Sequence, residues 1–396
     1  MEWFIQLGKG FGAFFFNPLL YLGLLFAVYL GYIRVKRERK NFTIRVKDGW
    51  FEFRTYIKKG WLLGLIFSIV VFLIGFMIPL AYVFTLTVVT VILSIFLKPG
   101  ALSAAYTFGI SFFIILAIEY SDIELPILQG ILDQVTKEVI PGAALLTGFL
   151  LLIEGNLISK SASQHTSPKL VRSKRGLRVG IHESKRLWLI PMLVLIPSNA
   201  LSIPIDFWPI VPTPSGGFTF LFVPFWLGFG AQIRSQHPER GVRVIGKQVT
   251  ILGTIVTFIS AVGFWYPIAS IVAVGIAIIG RILISVVYYV KDDAQIFYFS
   301  RGNQGIVVLD IIPGSPADKM GLQIGDVIRT VNGVQVQTTQ QYYEALQLNR
   351  AYCKLEVIDD QGENRLVNRA LYEGEHHELG VITFEMDSKW EKKDIS

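Results

Sequence analysis

A block of 38 residues without a single charge, residues 60–97, sets the strongest limit on how this chain can fold. Crossing the hydrocarbon core of a bilayer takes about 20 mostly apolar residues, so the block is long enough for two membrane-spanning helices. A break at Pro79-Leu80-Ala81-Tyr82 would separate them. The whole chain is 17% charged, whereas a soluble globular protein carries about 25% charged residues. The sequence therefore predicts a polytopic α-helical membrane protein.

Further apolar runs bring the predicted number of spans to about nine. A second double-length run, residues 249–290, is broken at Trp265-Tyr266-Pro267. The runs long enough for one span each are residues 11–33, 101–119, 139–158, 187–205 and 217–233. The first run lacks a preceding basic segment and a small-residue cleavage site, so we expect it to be retained as a span. The pattern predicts a transmembrane domain at residues 1–290 and a second domain at residues 291–396.

The charge of the connecting segments predicts the orientation. Residues 34–59 hold ten basic and three acidic side chains, residues 159–186 hold eight and one, and residues 234–248 hold four and one. Residues 120–138 are acidic instead. Lys and Arg concentrate in cytoplasmic loops, and nine spans with the N-terminus outside would place all three basic segments in the cytoplasm. The same parity places the C-terminal domain in the cytoplasm.

The excess of positive charge belongs to the membrane part alone. Residues 1–290 carry 26 basic and 13 acidic side chains, whereas residues 291–396 carry 11 and 17. The net charge of +7 therefore gives no argument for nucleic-acid binding by the C-terminal domain. The basic loops could bind anionic membrane lipids or an acidic partner. The alternative is that they only fix the topology.

Two ionisable residues inside the predicted spans, Arg281 and Glu154, are functional candidates because burying a charge in a membrane is costly. They could pair and lock two helices together. The alternative, which we favour from the sequence, is that Arg281 extends to the interface and Glu154 reaches it without a partner. The spans hold no ladder of Asp, Glu or His, which argues against a proton or ion pathway.

The run Gly305–Val336, GIVVLDIIPGSPADKMGLQIGDVIRTVNGVQV, predicts a compact α/β module. Ser315 suits a helix N-cap, and Asn332-Gly333 fits a type I′ hairpin turn. A second helix is expected over residues 339–348. The motif resembles the PDZ family, in the form found in bacterial proteases, over roughly residues 295–388. The resemblance implies a PDZ-like β-barrel/α domain that binds a peptide, usually a C-terminus, as an added strand.

The usual PDZ carboxylate-binding loop, of Leu-Gly-Val type, is missing ahead of Gly305 and occurs instead after the last predicted strand. We therefore predict a circularly permuted domain whose groove strand is C-terminal. The predicted peptide-binding residues are Leu379, Gly380, Val381, Ile382 and Thr383 on that strand and Gln340, Tyr343 and Gln347 on the second helix. His376, His377 and Arg369 are close enough in sequence to assist with a carboxylate. The alternative is that Ile296–Phe299 forms the groove strand.

Catalytic motifs are missing. The five histidines, which we place in loops or in the C-terminal domain, form no His-Glu-x-x-His pattern, and none supports a serine triad. The single cysteine, Cys353, excludes a disulfide framework and is expected to be a small packed residue. The sequence predicts a non-enzymatic protein without a cofactor or bound metal. A transporter is disfavoured because polar or broken mid-membrane helices are scarce.

The chain as a whole resembles the MinJ-type adaptors of Bacillus and related Gram-positive bacteria. The residues that carry the likeness are Asn17-Pro18-Leu19-Leu20-Tyr21-Leu22, the run IRVKRERKNFTIRVKDGWFEFR and the PDZ-like module with its HHELGVITF ending. The resemblance implies a membrane adaptor at the division septum and cell poles, linking the coiled-coil scaffold DivIVA to the ATPase MinD and to other division proteins. The alternative function is a PDZ-containing regulator that presents substrates to a membrane protease.

Overall fold

The computed structural model describes residues 1–75, 77–120, 140–203, 208–209, 217–300, 305–349, 351–372 and 379–383. The helices of the membrane part are α1 (Glu2–Phe16), α2 (Pro18–Phe42), α3 (Phe51–Lys58), α4 (Trp61–Ile74), α5 (Leu80–Ile95), α6 (Ala104–Glu119), α7 (Ile140–Leu157), α8 (Pro238–Val262) and α9 (Pro267–Ala294). Its strands are β1 (Ser167–Arg172), β2 (Arg178–Leu201) and β3 (Phe218–Ile233). The acidic segment 121–138 lies outside the described residues.

Five helices of the described part are long and apolar enough to cross a membrane. They are α2, α3 joined to α4, α7 with its π-helical extension to Ala162, α8 and α9. The shorter helices α5 and α6 are also apolar. Both double-length blocks form two helices, because α4 ends at Gly75 in a left-handed conformation and Pro267 begins α9. The first predicted span divides at Asn17, whose side chain caps α2.

Two of the predicted spans, residues 187–205 and 217–233, are strands and not helices. They form an antiparallel hairpin of β2 and β3, in which Pro191 lies opposite Pro224. A proline inside a helix costs about 3 kcal/mol, and the aromatic and β-branched residues around these prolines favour strands. Apolar length alone does not distinguish a buried hairpin from a helix, so the prediction of two helical spans was wrong. The count of nine spans is not confirmed.

Helices cover the edges of this hairpin through close backbone contacts. A membrane interior offers no water to unpaired N–H and C=O groups, so an exposed sheet edge would be costly. The Ser68 hydroxyl of α4 accepts a hydrogen bond from the Leu193 amide at 2.8 Å. One turn earlier, a Cβ added to Gly64 would lie 2.3 Å from the Pro191 carbonyl oxygen. Small residues on α4 therefore let its backbone lie directly against β2.

Arg281 of α9 and Glu154 of α7 form a buried ion pair. Arg281 Nε lies 3.1 Å from Glu154 Oε1, and the two side chains are 3% and 0% exposed. The Ser103 hydroxyl and the Ala104 amide, at the N-terminus of α6, donate hydrogen bonds to Glu154 Oε2 at 2.7 and 2.8 Å. The expectation of two unpaired residues at the interface was wrong, because three helices together satisfy both buried charges.

The elements of the C-terminal domain are β4 (Ile306–Val307), β5 (Asp310–Ile311), α10 (Pro316–Lys319), β6 (Val327–Val331), β7 (Val334–Gln335), α11 (Thr339–Gln347), β8 (Tyr352–Ile358), β9 (Asn364–Ala370) and β10 (Val381–Ile382). The main sheet runs β4-β6-β8-β9, with β7 paired to β6. As predicted, Ser315 caps α10. Asn332 and Gly333 have φ values of 51° and 83°, which suit a type I′ turn.

Candidate peptide-binding groove

The segment Leu379–Thr383 closes the domain as an edge strand. Within it, β10 pairs antiparallel with β5 in a two-stranded sheet. The carbonyl oxygens of Leu379 and Gly380 accept hydrogen bonds from the amides of Ala317 and Ile312, both at 2.9 Å. The other edge of β10 pairs with no strand among the described residues. This edge can accept the backbone of an extended peptide.

Gly380 has a backbone conformation that glycine adopts and other residues avoid. Its φ is +85°, and a Cβ at this position would lie 2.3 Å from Ser315 Cβ. Leu379, just before it, is buried in the core of the domain, and Val381, just after it, packs against the same core. The Leu-Gly-Val turn is thus anchored on both sides, and its conformation depends on the glycine.

Helix α11 reaches this strand through its first turn. Thr339 Oγ1 lies 3.4 Å from Thr383 Oγ1. Tyr343 follows one turn later on the same face of the helix, and its side chain is 44% exposed. The structure therefore places the first turn of α11 beside Thr383, and the part of Tyr343 and of the strand residues in peptide binding stays a prediction. Thr339 was not among the residues predicted from the sequence to bind a peptide.

The other two predicted helix residues lie away from that contact. Gln340 is exposed, and its amide donates a hydrogen bond to the Glu344 carboxylate at 2.9 Å. Gln347 is exposed at the end of the helix. With about 100° between successive helix residues, Gln340 and Gln347 are each rotated by about 80–100° from Thr339. Their part in peptide binding stays a prediction.

The alternative groove strand, Ile296–Phe299, contacts the membrane part instead. The Tyr298 amide donates to the Arg234 carbonyl at 2.8 Å, and the Phe299 carbonyl accepts from the Gly180 amide at 3.3 Å. Phe299 is fully buried. These contacts commit the segment to the membrane hairpin, which favours β10 as the groove strand.

The side chains expected to assist with a carboxylate are only partly described. Arg369 lies in β9 opposite Cys353, and His376 and His377 lie outside the described residues. Cys353 itself is fully buried, as expected for a small packed residue. Burial raises the pKa of its thiol to about 12, so the thiolate needed for reaction is scarce at neutral pH.

A buried histidine joins the C-terminal domain to the membrane hairpin. His182 Nε2 lies 2.8 Å from the Leu309 carbonyl oxygen, and its Nδ1 lies 2.8 Å from Thr166 Oγ1. A carbonyl oxygen only accepts, so Nε2 carries the proton and Nδ1 accepts from the threonine hydroxyl. Burial lowers the pKa of His182 to about 3, which keeps it neutral. The assignment of His182 to a loop was wrong, because it lies in β2.

Apolar side chains complete the contact between the two parts. Phe42 and Val46 of the membrane part form a buried cluster with Phe299, Leu309 and Ile382. Ile382 belongs to β10, and the residue before it, Val381, packs against the core of the C-terminal domain. The groove strand is therefore held between that core and the membrane part.

Two charged residues lie beside this cluster. Asp310 is 4% exposed, and its Oδ1 accepts a hydrogen bond from the Ile311 amide at 2.8 Å. Burial raises the pKa of this carboxyl from 3.8 to about 6, against the opposing effect of nearby Lys47. Lys47 Nζ donates to the Thr166 carbonyl at 2.6 Å. Burial lowers the pKa of Lys47, so both groups lie where charge is disfavoured.

Comparisons with known proteins agree with this architecture. The PDZ domain family model matches residues 307–358. The cell division topological determinant MinJ of Bacillus subtilis is 39% identical over 383 residues, which are 96% of each chain. The chain belongs to the MinJ family. Probable MinJ proteins of Lacticaseibacillus paracasei and Lacticaseibacillus casei are each 24% identical over 395 residues, 94% of this chain and 97% of theirs.

Among solved structures, the PDZ domain of the SdrC-like protein of Listeria monocytogenes aligns with 21% of this chain and 92% of its own. The identity is 15% and the TM-score is 0.18. The names of the MinJ relatives point to a division determinant and not to an enzyme. The full-length match identifies a bacterial membrane protein of cell division with a PDZ domain near its C-terminus.

In this MinJ-family chain, part of the basic segment 34–59 is committed to the fold. Arg34 Nε lies 2.7 Å from Glu52 Oε1, and Arg34 Nη1 lies 2.9 Å from Glu38 Oε2. All three side chains are buried, and Arg186 of β2 also pairs with Glu52, at 3.4 Å. This network joins α2, α3 and β2. Local sequence could not reveal the link to β2, because Glu52 and Arg186 lie 134 residues apart.

Proposed function

We propose that this chain is a non-enzymatic membrane adaptor that helps to place the division site, linking a DivIVA-type polar scaffold to a MinD-type ATPase. The observation that carries the proposal is the 39% identity to a division-site determinant over 96% of the chain. The bilayer-length helices provide an anchor, and the unpaired edge of β10 provides a docking site for a partner segment. We also propose that the protein localises to the division septum and the cell poles.

The proposed ligand of the groove is an extended C-terminal peptide of a division partner. It would add as a strand to β10, between Leu379–Thr383 and the face of α11 that carries Thr339 and Tyr343. Main-chain hydrogen bonds would supply affinity, and side-chain contacts along the helix would supply specificity. The groove strand follows the rest of the domain in the chain, so the proposal includes the circular permutation.

Localisation in dividing cells tests the adaptor function. A fluorescent fusion of the full chain is compared with one that ends at residue 295, both produced at the same level. Enrichment of the full chain at septa and poles supports the proposal. Uniform membrane signal from the full chain contradicts it. Loss of enrichment only in the shortened chain would assign the localisation to the C-terminal domain.

Binding of fluorescent peptides tests the groove. The probes are ten-residue C-terminal peptides of the DivIVA-type and MinD-type partners, titrated onto the full chain in lipid nanodiscs. Tyr343→Ala removes an exposed side chain from the groove and should weaken binding, whereas Tyr352→Ala, 40% exposed on β8, is the matched control. Gly380→Asp should abolish binding, since its side chain cannot fit beside Ser315. Equal binding by all variants would exclude this groove.

A further inference from the structure

A pocket of about 460 Å³ lies in the membrane part, apart from the peptide groove. Its walls come from the segment between α5 and α6, from β2 and β3, and from α8 and α9. One of its lining residues, Lys185, belongs to the basic segment 159–186. Its cationic lining residues are Lys98, Lys185 and Arg281. Its apolar side includes Phe229, Ile245 and Tyr288.

The cations around this pocket outnumber the carboxylates. Lys185 Nζ lies 3.3 Å from Glu183 Oε1, but Glu183 also pairs with Lys169 at 3.8 Å and with Arg37. One carboxylate therefore serves three cations. Burial, and then repulsion from Arg37, lower the pKa of Lys185, as expected where positive charge is in excess.

Lys98 adds to this excess. Its side chain is exposed at the rim of the pocket. Among the described residues, the ion pairs that involve lining residues of this pocket do not include Lys98. Arg281, deeper in the pocket, is already neutralised by Glu154 at 3.1 Å. The two lysines at the mouth are thus the groups available to an added anion.

The remaining lining is mostly apolar and lies beside a tyrosine pair, Tyr288 and Tyr289. Tyrosines concentrate at the level of the lipid headgroups, where one end of the ring is wet and the other is not. A site with cations at its mouth and an apolar wall below matches an amphipathic anion. A small water-soluble phosphate would leave the apolar wall without a partner.

We propose that this pocket binds an anionic glycerophospholipid of the membrane leaflet that faces the basic segments. The phosphate lies between Lys98 and Lys185, and the glycerol and the first part of an acyl chain lie against Phe229 and Ile245. The site adds a specific lipid ligand to a protein whose proposed function concerns protein partners only, and it does not depend on the peptide groove.

Native mass spectrometry of the full chain in detergent tests the site. Phosphatidylglycerol and phosphatidylcholine are titrated separately, and bound lipids are counted for each chain. We expect one phosphatidylglycerol molecule to bind each chain more tightly than any further one. We expect no such tightly bound molecule of phosphatidylcholine. In K98Q/K185Q the affinity of that one lipid should fall roughly 30-fold, taking about 1 kcal/mol for each lysine. K247Q/K291Q removes two exposed lysines outside the pocket and should bind normally.

Two further measurements separate the lipid from other anions and from loss of folding. Ala231→Phe fills the apolar part of the pocket and should weaken phosphatidylglycerol, and millimolar inorganic phosphate should not displace the lipid. Lys98→Gln alone, at an exposed position, should weaken the lipid roughly 5-fold with an unchanged melting temperature. Equal binding of both lipids, unchanged binding by both lysine variants, or displacement by inorganic phosphate would each overturn the proposal.

Discussion

Asp310 is a buried carboxyl at the contact between the two parts, and its protonation should control the strength of that contact. Its pKa in the docked state is about 6, above its ordinary 3.8, so the docked state binds the proton more tightly. Docking is therefore strongest when Asp310 is protonated, and it weakens as the pH rises from about 4 through 6. Asp310→Asn keeps the shape without the charge and should strengthen docking at pH 7 by roughly 1–3 kcal/mol.

The pH dependence of docking can be measured by hydrogen exchange of residues 306–312, after correction for the intrinsic effect of pH on exchange. Wild-type protection should fall as the pH rises from about 4 to 6, and protection in Asp310→Asn should stay constant and exceed that of the wild type at pH 7. Asp318→Asn, at an exposed position, is the control. Equal protection in the wild type and in Asp310→Asn across this range would show that the charge of this carboxyl does not weaken docking.

Single residues were predictable where local geometry decides them. Ser315, Asn332 and Gly333 obey capping and turn rules that act within four residues. The contact of His182 was not predictable, because its partner lies 127 residues away in sequence. The same separation left the pairing of Arg281 with Glu154 as one of two alternatives that the sequence could not decide between. For the groove, the Leu-Gly-Val motif identified the strand, whereas helix periodicity alone did not identify which face of α11 meets it.

At the scale of elements, the packing of α4 against β2 predicts that Gly64 cannot be replaced by alanine without loss of stability. Gly64→Ala would place a methyl group 2.3 Å from the Pro191 carbonyl oxygen, so α4 must move off the hairpin edge. Overpacking of this kind costs about 1–3 kcal/mol, and the melting temperature in detergent should fall. Gly275→Ala in α9 meets no atom within 4 Å and should be neutral or slightly stabilising. Equal melting temperatures for the two variants would contradict the close contact.

The helices of the double-length blocks followed from the sequence because Pro79 and Pro267 mark where each new helix begins. The hairpin did not, since a strand buried on both faces is apolar at every position and lacks the alternation of a half-buried strand. Pro191 and Pro224 were the available signal. Opposed prolines are tolerated in this hairpin but would each break a helix.

At the scale of the whole molecule, the hairpin leaves the predicted orientation unchanged. The two strands take the place of two predicted helical crossings, an even number, so a cytoplasmic C-terminal domain stays the prediction. Lys174, 81% exposed in the turn before β2, and Ser202, exposed after it, lie at opposite ends of that strand. A membrane-impermeant maleimide should label Ser202→Cys but not Lys174→Cys in intact cells. Cys353 is buried and should give little background labelling. Labelling of Lys174→Cys in intact cells would show that the orientation is the opposite of the predicted one.

Because β10 lies between the proposed groove and the membrane part, we expect peptide binding and docking to be coupled. Ile382 packs on the membrane part, and the adjoining edge is the proposed peptide site, so loosening one contact frees the strand that forms the other. His182→Ala leaves the Leu309 carbonyl without its donor, at a cost of about 1–3 kcal/mol. It should weaken peptide binding by up to about tenfold, whereas His182→Gln, which retains a donor, should restore part of the loss. Because coupling is reciprocal, saturating peptide should slow hydrogen exchange in residues 42–47. Faster exchange in His182→Ala with unchanged peptide affinity would show that the groove and the docking contact are independent.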